Sequence, residues 1–245
     1  MKETKVQIYK ADLRFESKDE ALTRLSVFNF EHHYHESRQP FGNLIAVNEE
    51  TLAPKNQVFR HVETNTDIVI IPMEGAIRYT DSLGNDDIIQ TGHIRVFTAN
   101  EGLSYTLENP YGEESINYLQ VWIKPDDVGE IGSEQQKFGF HGKNKLFPIF
   151  AGPENKTGEG NHVELPKIRS NATAHLGIFD TRKEVVHHLS GNKNGLFAFV
   201  LNGEFEFENH QLEKHDAMAI SGISKAAFEA LTHNALLLIL ETPTK

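Results

Sequence analysis

Along most of the chain, apolar residues come in short runs of four to eight, rich in Val, Ile and Phe and closed by Gly, Asn, Asp or Pro. Runs of that length and composition predict β-strands. One segment reads differently. Ser17, with Glu20 three residues later, has the form of a capping box, and Ala21, Leu22 and Leu25 follow at roughly helical spacing. That pattern predicts a single helix near the start. No other long stretch keeps a 3.6-residue period, so the expected class is all-β, a sandwich or barrel.

The pattern also repeats. Asp67 to Met73 is an apolar strand that runs into Glu74-Gly75 and then the alternating Ala76-Ile77-Arg78-Tyr79-Thr80. Leu196 to Leu201 runs likewise into Asn202-Gly203 and then Glu204-Phe205-Glu206-Phe207-Glu208. Each X-Gly pair predicts a two-residue hairpin turn, where glycine supplies positive φ. A short apolar strand follows in each half, from His93 to Phe97 and from Asp216 to Ile220. Each half then closes on a strongly apolar strand, Tyr118 to Ile123 and Leu236 to Leu240. Two copies of one β-module is the simplest reading. The weakly patterned stretch from Pro125 to Pro166 holds the junction, with an exchanged or packed strand at Leu146 to Ala151. The expected division is 1–125 for a first barrel with an N-terminal extension, 126–166 for the junction and 167–245 for a second barrel. Pro72 inside a strand predicts an edge or a bulge, because proline cannot donate to a ladder. With a core in each half, a monomer is favoured and a dimer is the alternative.

Composition narrows the chemistry. The 245 residues include no cysteine, which removes disulfides, thiolate metal sites and cysteine nucleophiles. Lys and Arg number 24 against 35 Asp and Glu, a net charge of −11. An acidic chain without a basic run is not expected to bind nucleic acid directly. The longest purely apolar run, Ala235 to Leu240, is far short of a membrane span, and no signal-peptide core follows Met1, so a cytoplasmic protein is expected. Without a secretory signal, the glycosylation triplets at Asn155 and Asn171 read as coincidence. Neither a phosphate-cradling loop nor a dinucleotide fingerprint is present, and no Ser-His-Asp order is found.

Five stretches then carry a resemblance: Phe41 to Leu44, the turn Asp81-Ser82-Leu83-Gly84-Asn85, Thr98 to Gly102, the strand Leu119-Gln120-Val121-Trp122-Ile123-Lys124-Pro125, and Gln136-Lys137-Phe138. In order and spacing they resemble the pirin family, bicupins with two antiparallel β-barrels of the jelly-roll or double-stranded β-helix type. The likeness runs from about Phe41 to the C-terminus and is most specific in the first half. It implies a mononuclear metal, usually iron, in the first barrel and none in the second. Some members oxidise flavonols such as quercetin with dioxygen, and eukaryotic members are linked to transcriptional regulation.

The implied metal positions depart from the family. A His-x-His aligns with His61-Val62-Glu63, and a later His-x-Glu aligns with Tyr105-Thr106-Leu107. Residues i and i+2 share a strand face, so His61 and Glu63 are expected to point into the barrel together with Tyr105 and Leu107. Leu107 can donate nothing to a metal, and Tyr105 must first lose a proton. No cofactor is therefore expected, with iron or another divalent metal held by His61, Glu63 and Tyr105 as the alternative. Other candidates carry less. His32, His33 and His35 form a dense cluster, with His33 and His35 on one face if extended. His187-His188 precede the second X-Gly turn but point to opposite faces. Asp86-Asp87 and Glu101 read as solvated turn residues.

Three functions stay open. The first is a non-catalytic or weakly catalytic pirin relative, metal-free or weakly metal-binding, holding a small ligand, aromatic or otherwise, in the first barrel. The second is a metal-dependent quercetin 2,3-dioxygenase-like enzyme with an altered ligand set. The third is metal-free acid–base chemistry by Glu63 and His61.

Overall fold

The computed structural model describes residues 3–99, 102–127, 129, 132–138, 142–153 and 165–244. Glu101, the triplet at Asn155 and the central part of the junction lie outside the described residues.

The strands in chain order begin with β1 (Lys5–Tyr9), β2 (Phe15–Lys18), β3 (Leu22–Ser26) and β4 (Leu44–Leu52). Next come β5 (Gln57–Val62), β6 (Thr66–Glu74), β7 (Ala76–Asp81) and β8 (Asp86–Gln90). The first barrel ends with β9 (His93–Ala99), β10 (Leu103–Glu108), β11 (Ile116–Ile123) and β12 (Ser133–Lys137). The second contains β13 (Phe147–Ala151), β14 (Thr173–Phe179), β15 (Glu184–His188), β16 (Asn194–Asn202) and β17 (Phe205–Phe207). It closes with β18 (His210–Leu212), β19 (Ala217–Ser221), β20 (Lys225–Ala230) and β21 (Ala235–Pro243).

Each barrel is a large sheet facing a four-stranded one. In the first, β12-β9-β6-β11-β4-β3-β2 faces β5-β10-β7-β8. In the second, β1-β19-β16-β21-β14-β13 faces β15-β20-β17-β18. The described strand pairs of both barrels are antiparallel, as expected for the class.

The large sheets pack against each other, which explains their near-continuous apolar strands. In β6, Ile68 and Ile70 fill the first barrel, whereas Val69 and Ile71 join a core shared by both halves. In β16, Leu196, Ala198 and Val200 fill the second barrel, whereas Phe197 and Phe199 enter the shared core. Strands buried on both faces lose the polar alternation of a surface sheet.

Three expectations are corrected. The segment predicted as a helix is the β2–β3 hairpin, and no α-helix occurs among the described residues. Asp19 accepts hydrogen bonds from the backbone N–H of Ala21 and Leu22, each at 2.8 Å, so the apparent cap is a turn. Tertiary pairing then wins, because Leu22 to Ser26 align with β4 and turn Arg24 inward. Neither X-Gly pair is a hairpin. β6 pairs with β9 and β11 whereas β7 pairs with β8 and β10, so Gly75 turns the chain from one sheet to the other. Gly203 does the same between β16 and β17. Their φ angles of +80° and +76° explain the glycines, and a Cβ on Gly203 would stand 2.3 Å from Thr232 Oγ1. Lastly, the N-terminal extension is divided between the barrels: β2 and β3 continue the first barrel's sheet from β4, but β1 does not. β1 pairs with β19 of the second, while β12, from the junction, extends the first beside β9. Edge strands gain ladder partners this way regardless of chain order.

Pro72 sits in a central strand, where a bulge separates the Tyr118–Pro72 and Asn117–Glu74 pairs. The neighbouring β9 pairs only as far as Ile70, so the missing N–H breaks no ladder bond on that side.

Candidate functional site

Strand β5 decides what enters the first barrel. Arg60 and Val62 are buried, whereas Gln57, Phe59 and His61 are exposed. The register sets Arg60 against Tyr105 and His61 against Ser104 on β10. Directly opposite residues point to the same side, so Tyr105 and Leu107 face the interior beside Arg60 while His61 faces outward. His61 Nδ1 lies 2.8 Å from Ser104 Oγ on that outer face, and Glu63 is exposed beyond the strand. The four aligned positions are therefore split, and His61, Glu63 and Tyr105 do not point into the interior together as expected. Placing imidazoles at positions 63 and 105 and a carboxylate at 107 would not rebuild the family's ligand set on this register.

The interior is built from residues that spacing did not single out. Glu50 on β4 is fully buried, and its Oε1 accepts from Arg24 Nε at 2.6 Å and Arg60 Nη2 at 3.0 Å. Its Oε2 accepts from the Tyr118 hydroxyl at 2.6 Å. Gln120 Oε1 accepts from the Tyr105 hydroxyl at 3.1 Å and from Trp122 Nε1 at 2.5 Å. Burial pushes both tyrosine hydroxyls well above their ordinary pKa, so they stay protonated donors. Within this interior, Arg60 Nε, Gln120 Nε2 and both side-chain polar atoms of Asn48 are buried and have no hydrogen-bond partner among the described residues.

A loop closes this interior. Glu31 places one carboxylate oxygen 2.7 Å from Arg24 Nη1 and the other 2.7 Å from Arg60 Nη1. Burial works against its charge, but these two guanidinium groups outweigh it and hold the carboxyl below its usual range. The ring of Phe30 lies under both guanidiniums, 5.0 Å from Arg24 Cζ and 5.7 Å from Arg60 Cζ, and meets Trp122 edge-on at 5.3 Å. The histidine cluster belongs to the same loop but does not converge. His32 is exposed, His33 stacks on Phe15 at 5.5 Å, and His35 Nδ1 contacts Ser37 Oγ at 2.8 Å. Asp86 and Asp87 pair with Arg78 and Arg95, at 2.9 and 2.7 Å.

The donor set fits a metal poorly. A cation in this interior would meet two guanidiniums, two protonated phenols and a carboxylate already engaged by three donors. Among the described residues no group of three His, Asp or Glu has the geometry to hold a metal ion.

The second barrel has its own polar cluster, also missed by spacing. Glu241 on β21 accepts from Ser190 N–H and Oγ at 2.7 and 2.6 Å, Asn194 Nδ2 at 2.5 Å and His187 Nε2 at 3.1 Å. Burial opposes the Glu241 charge, yet these bonds lower its pKa to about 2. The His175 ring stands 5.1 Å from that of His187, and burial lowers the His175 pKa to about 4. A lone carboxylate closing the run Leu236 to Leu240 was the one legible signal. A separate cavity of about 320 Å³ opens between the barrels beside Glu49, Phe199 and His215.

Comparison with known proteins accords with this architecture. The family model described as Pirin matches residues 10–123, and that described as Quercetinase C-terminal cupin domain matches 158–241. A putative quercetin 2,3-dioxygenase of Mycobacterium tuberculosis is 29% identical over 110 residues, and the match spans 45% of each chain. A putative quercetin 2,3-dioxygenase of Zymomonas mobilis is 24% identical over 216 residues, covering 87% of this chain and 88% of that protein. The crystal structure of the Escherichia coli bacterial pirin YhhW in complex with nickel(II) superposes with a TM-score of 0.86 at 18% identity, over 98% of this chain and 100% of that one. Two cupin barrels in this order, each matched by its own domain model, place the chain in the pirin family of bicupins.

Proposed function

We propose that this pirin-family protein binds a small organic ligand at the mouth of its first barrel without a metal centre there. One observation carries the reading: Arg24 and Arg60 converge on Glu50 in the first-barrel interior, where the family resemblance puts the metal. Their charges repel a divalent cation, while their free donor capacity and the flanking rings of Phe30 and Trp122 suit a polar, partly aromatic guest. The net charge of −11 supports a small-molecule partner rather than a phosphate backbone.

The test is metal content and oxygen chemistry together. Protein purified without a metal-affinity tag, then incubated with iron(II) or nickel(II), should keep its Tm and show no quercetin-dependent oxygen uptake. Stabilisation grows with the logarithm of metal concentration over Kd, so even a weak site would register in the titration. One equivalent of iron or nickel bound per chain, with quercetin consumed, would overturn the reading. That outcome is the second reading, a quercetinase with an altered ligand set. It is favoured by the names of the Mycobacterium and Zymomonas relatives and by the nickel bound to the Escherichia coli pirin.

A further inference from the structure

Glu31 sits on the first barrel as a ligand would. Its two carboxylate oxygens each take one guanidinium, at 2.7 Å, so the carboxylate bridges the two arginines through charge-assisted hydrogen bonds. Neither arginine depends on Glu31 for its place. Both are anchored below by Glu50, at 2.6 and 3.0 Å, and both rest on the ring of Phe30. The seat is thus built by buried residues, whereas its occupant is 41% exposed and comes from a loop. The occupant is also strained. Glu31 has φ +51°, a left-handed conformation that a glutamate rarely adopts. Arg60 Nε remains buried without a partner even with Glu31 in place.

We infer that Arg24 and Arg60 form a carboxylate-binding seat at the mouth of the first barrel, and that Glu31 is its built-in, displaceable occupant. The ligand class is a small organic acid whose carboxylate replaces that of Glu31 while its body lies against Phe30 and Trp122. The exchange is neutral: one carboxylate leaves the two guanidiniums and another arrives, so the buried Glu50 never faces them alone. Displacement also relieves the left-handed backbone at Glu31, because the loop no longer has to hold the side chain inward. The inference rests on the proposal that the first barrel binds a small ligand, and it names the chemistry of that ligand.

Chemical rescue tests it. Glu31→Ala empties the seat and leaves one uncompensated positive charge, and Glu31→Gln does so with less change of shape. Either variant should lose Tm, and benzoate should restore it in a saturable way while the neutral isostere benzamide does not. Wild-type protein should need at least about tenfold more benzoate for the same occupancy, since its own carboxylate competes. The Nε–H signals of Arg24 and Arg60 in a ¹⁵N spectrum should move with benzoate in the variants. Equal effects of benzoate and benzamide, or arginine signals unmoved by benzoate in Glu31→Gln, would overturn the seat. Iron bound to wild-type protein alongside benzoate capture by the variants would sink the metal-free reading and support the seat. Absence of both iron and benzoate capture would sink the seat alone.

Discussion

The two barrels share a backbone and differ in what they enclose. Counting from the corner glycines, Tyr79 and Phe207 stand at the same step, opposite Leu107 and Phe228. Two residues back on those partner strands, Arg60 faces Tyr105 in the first barrel and His187 faces Ala226 in the second. Even the bulge repeats. Pairs Tyr118–Pro72 and Asn117–Glu74 bracket Met73, and pairs Leu237–Val200 and Leu236–Asn202 bracket Leu201. The bulge thus belongs to the module, and proline is accommodated by it rather than causing it. At one shared position the first barrel puts a guanidinium bound to Glu50, and the second an imidazole bound to Glu241. Architecture was conserved between the halves while the chemistry at its centre diverged. The first interior sets two guanidiniums on one carboxylate, whereas the second holds His175 and Glu241, both with depressed pKa values.

The strongest way to break this comparison is to unbalance the first interior. Glu50→Ala leaves two buried guanidiniums without their common partner and should cost about 3–5 kcal/mol in urea-induced unfolding. A loss below about 1 kcal/mol would mean that the network does not organise the barrel.

The second interior should instead respond to acid. The His175 pKa is depressed to about 4 from an unfolded value near 6.5, so its neutral form favours folding. That contribution is complete above pH 6.5 and is lost as pH falls towards 4, a matter of roughly 3 kcal/mol. Glu241, depressed to about 2, adds stability that is present above pH 4.5 and lost as pH falls towards 2. Unfolding measured at pH 7, 5 and 4 should show the first of these declines, and His175→Asn should remove it. A decline that persists unchanged in the variant would assign the titration elsewhere.

Symmetry of the backbone can be tested at the corners. Gly75→Val and Gly203→Val both force a β-branched residue to positive φ, and each should cost roughly 2 kcal/mol. Markedly unequal losses of Tm would show that the corners are equivalent in shape only. The smallest effect is expected at His61, which is exposed and bonded only to Ser104 among the described residues. His61→Ala should change stability by less than about 0.5 kcal/mol, and a larger loss would return His61 to the site.

Much of the fold was legible in the chain. Short Val/Ile/Phe runs gave the strands, and the paired X-Gly segments gave the repeat. The site was less legible. The i, i+2 rule put His61 and Glu63 on one strand face, but only the pairing of β5 with β10 says which way that face points. A shift of one residue exchanges Arg60 for His61 in the interior. Arg24 was hidden for another reason: its segment imitated a helix start, and alternation emerged only when β3 paired with β4. Glu31 lay beside three histidines that drew attention as ligands, whereas the loop serves to aim a carboxylate and a phenyl ring.

All-β class, duplication and family membership rest on local preferences and on residue order, which a chain carries before it folds. The assignment of β1 to the second barrel and β12 to the first, the inward face of β5 and the gathering of Arg24, Glu31, Glu50 and Arg60 do not. Those depend on which strand edges meet and in what register. Residues from 24 to 60 become neighbours only because burying charged groups demands that each find its partner across the sheets.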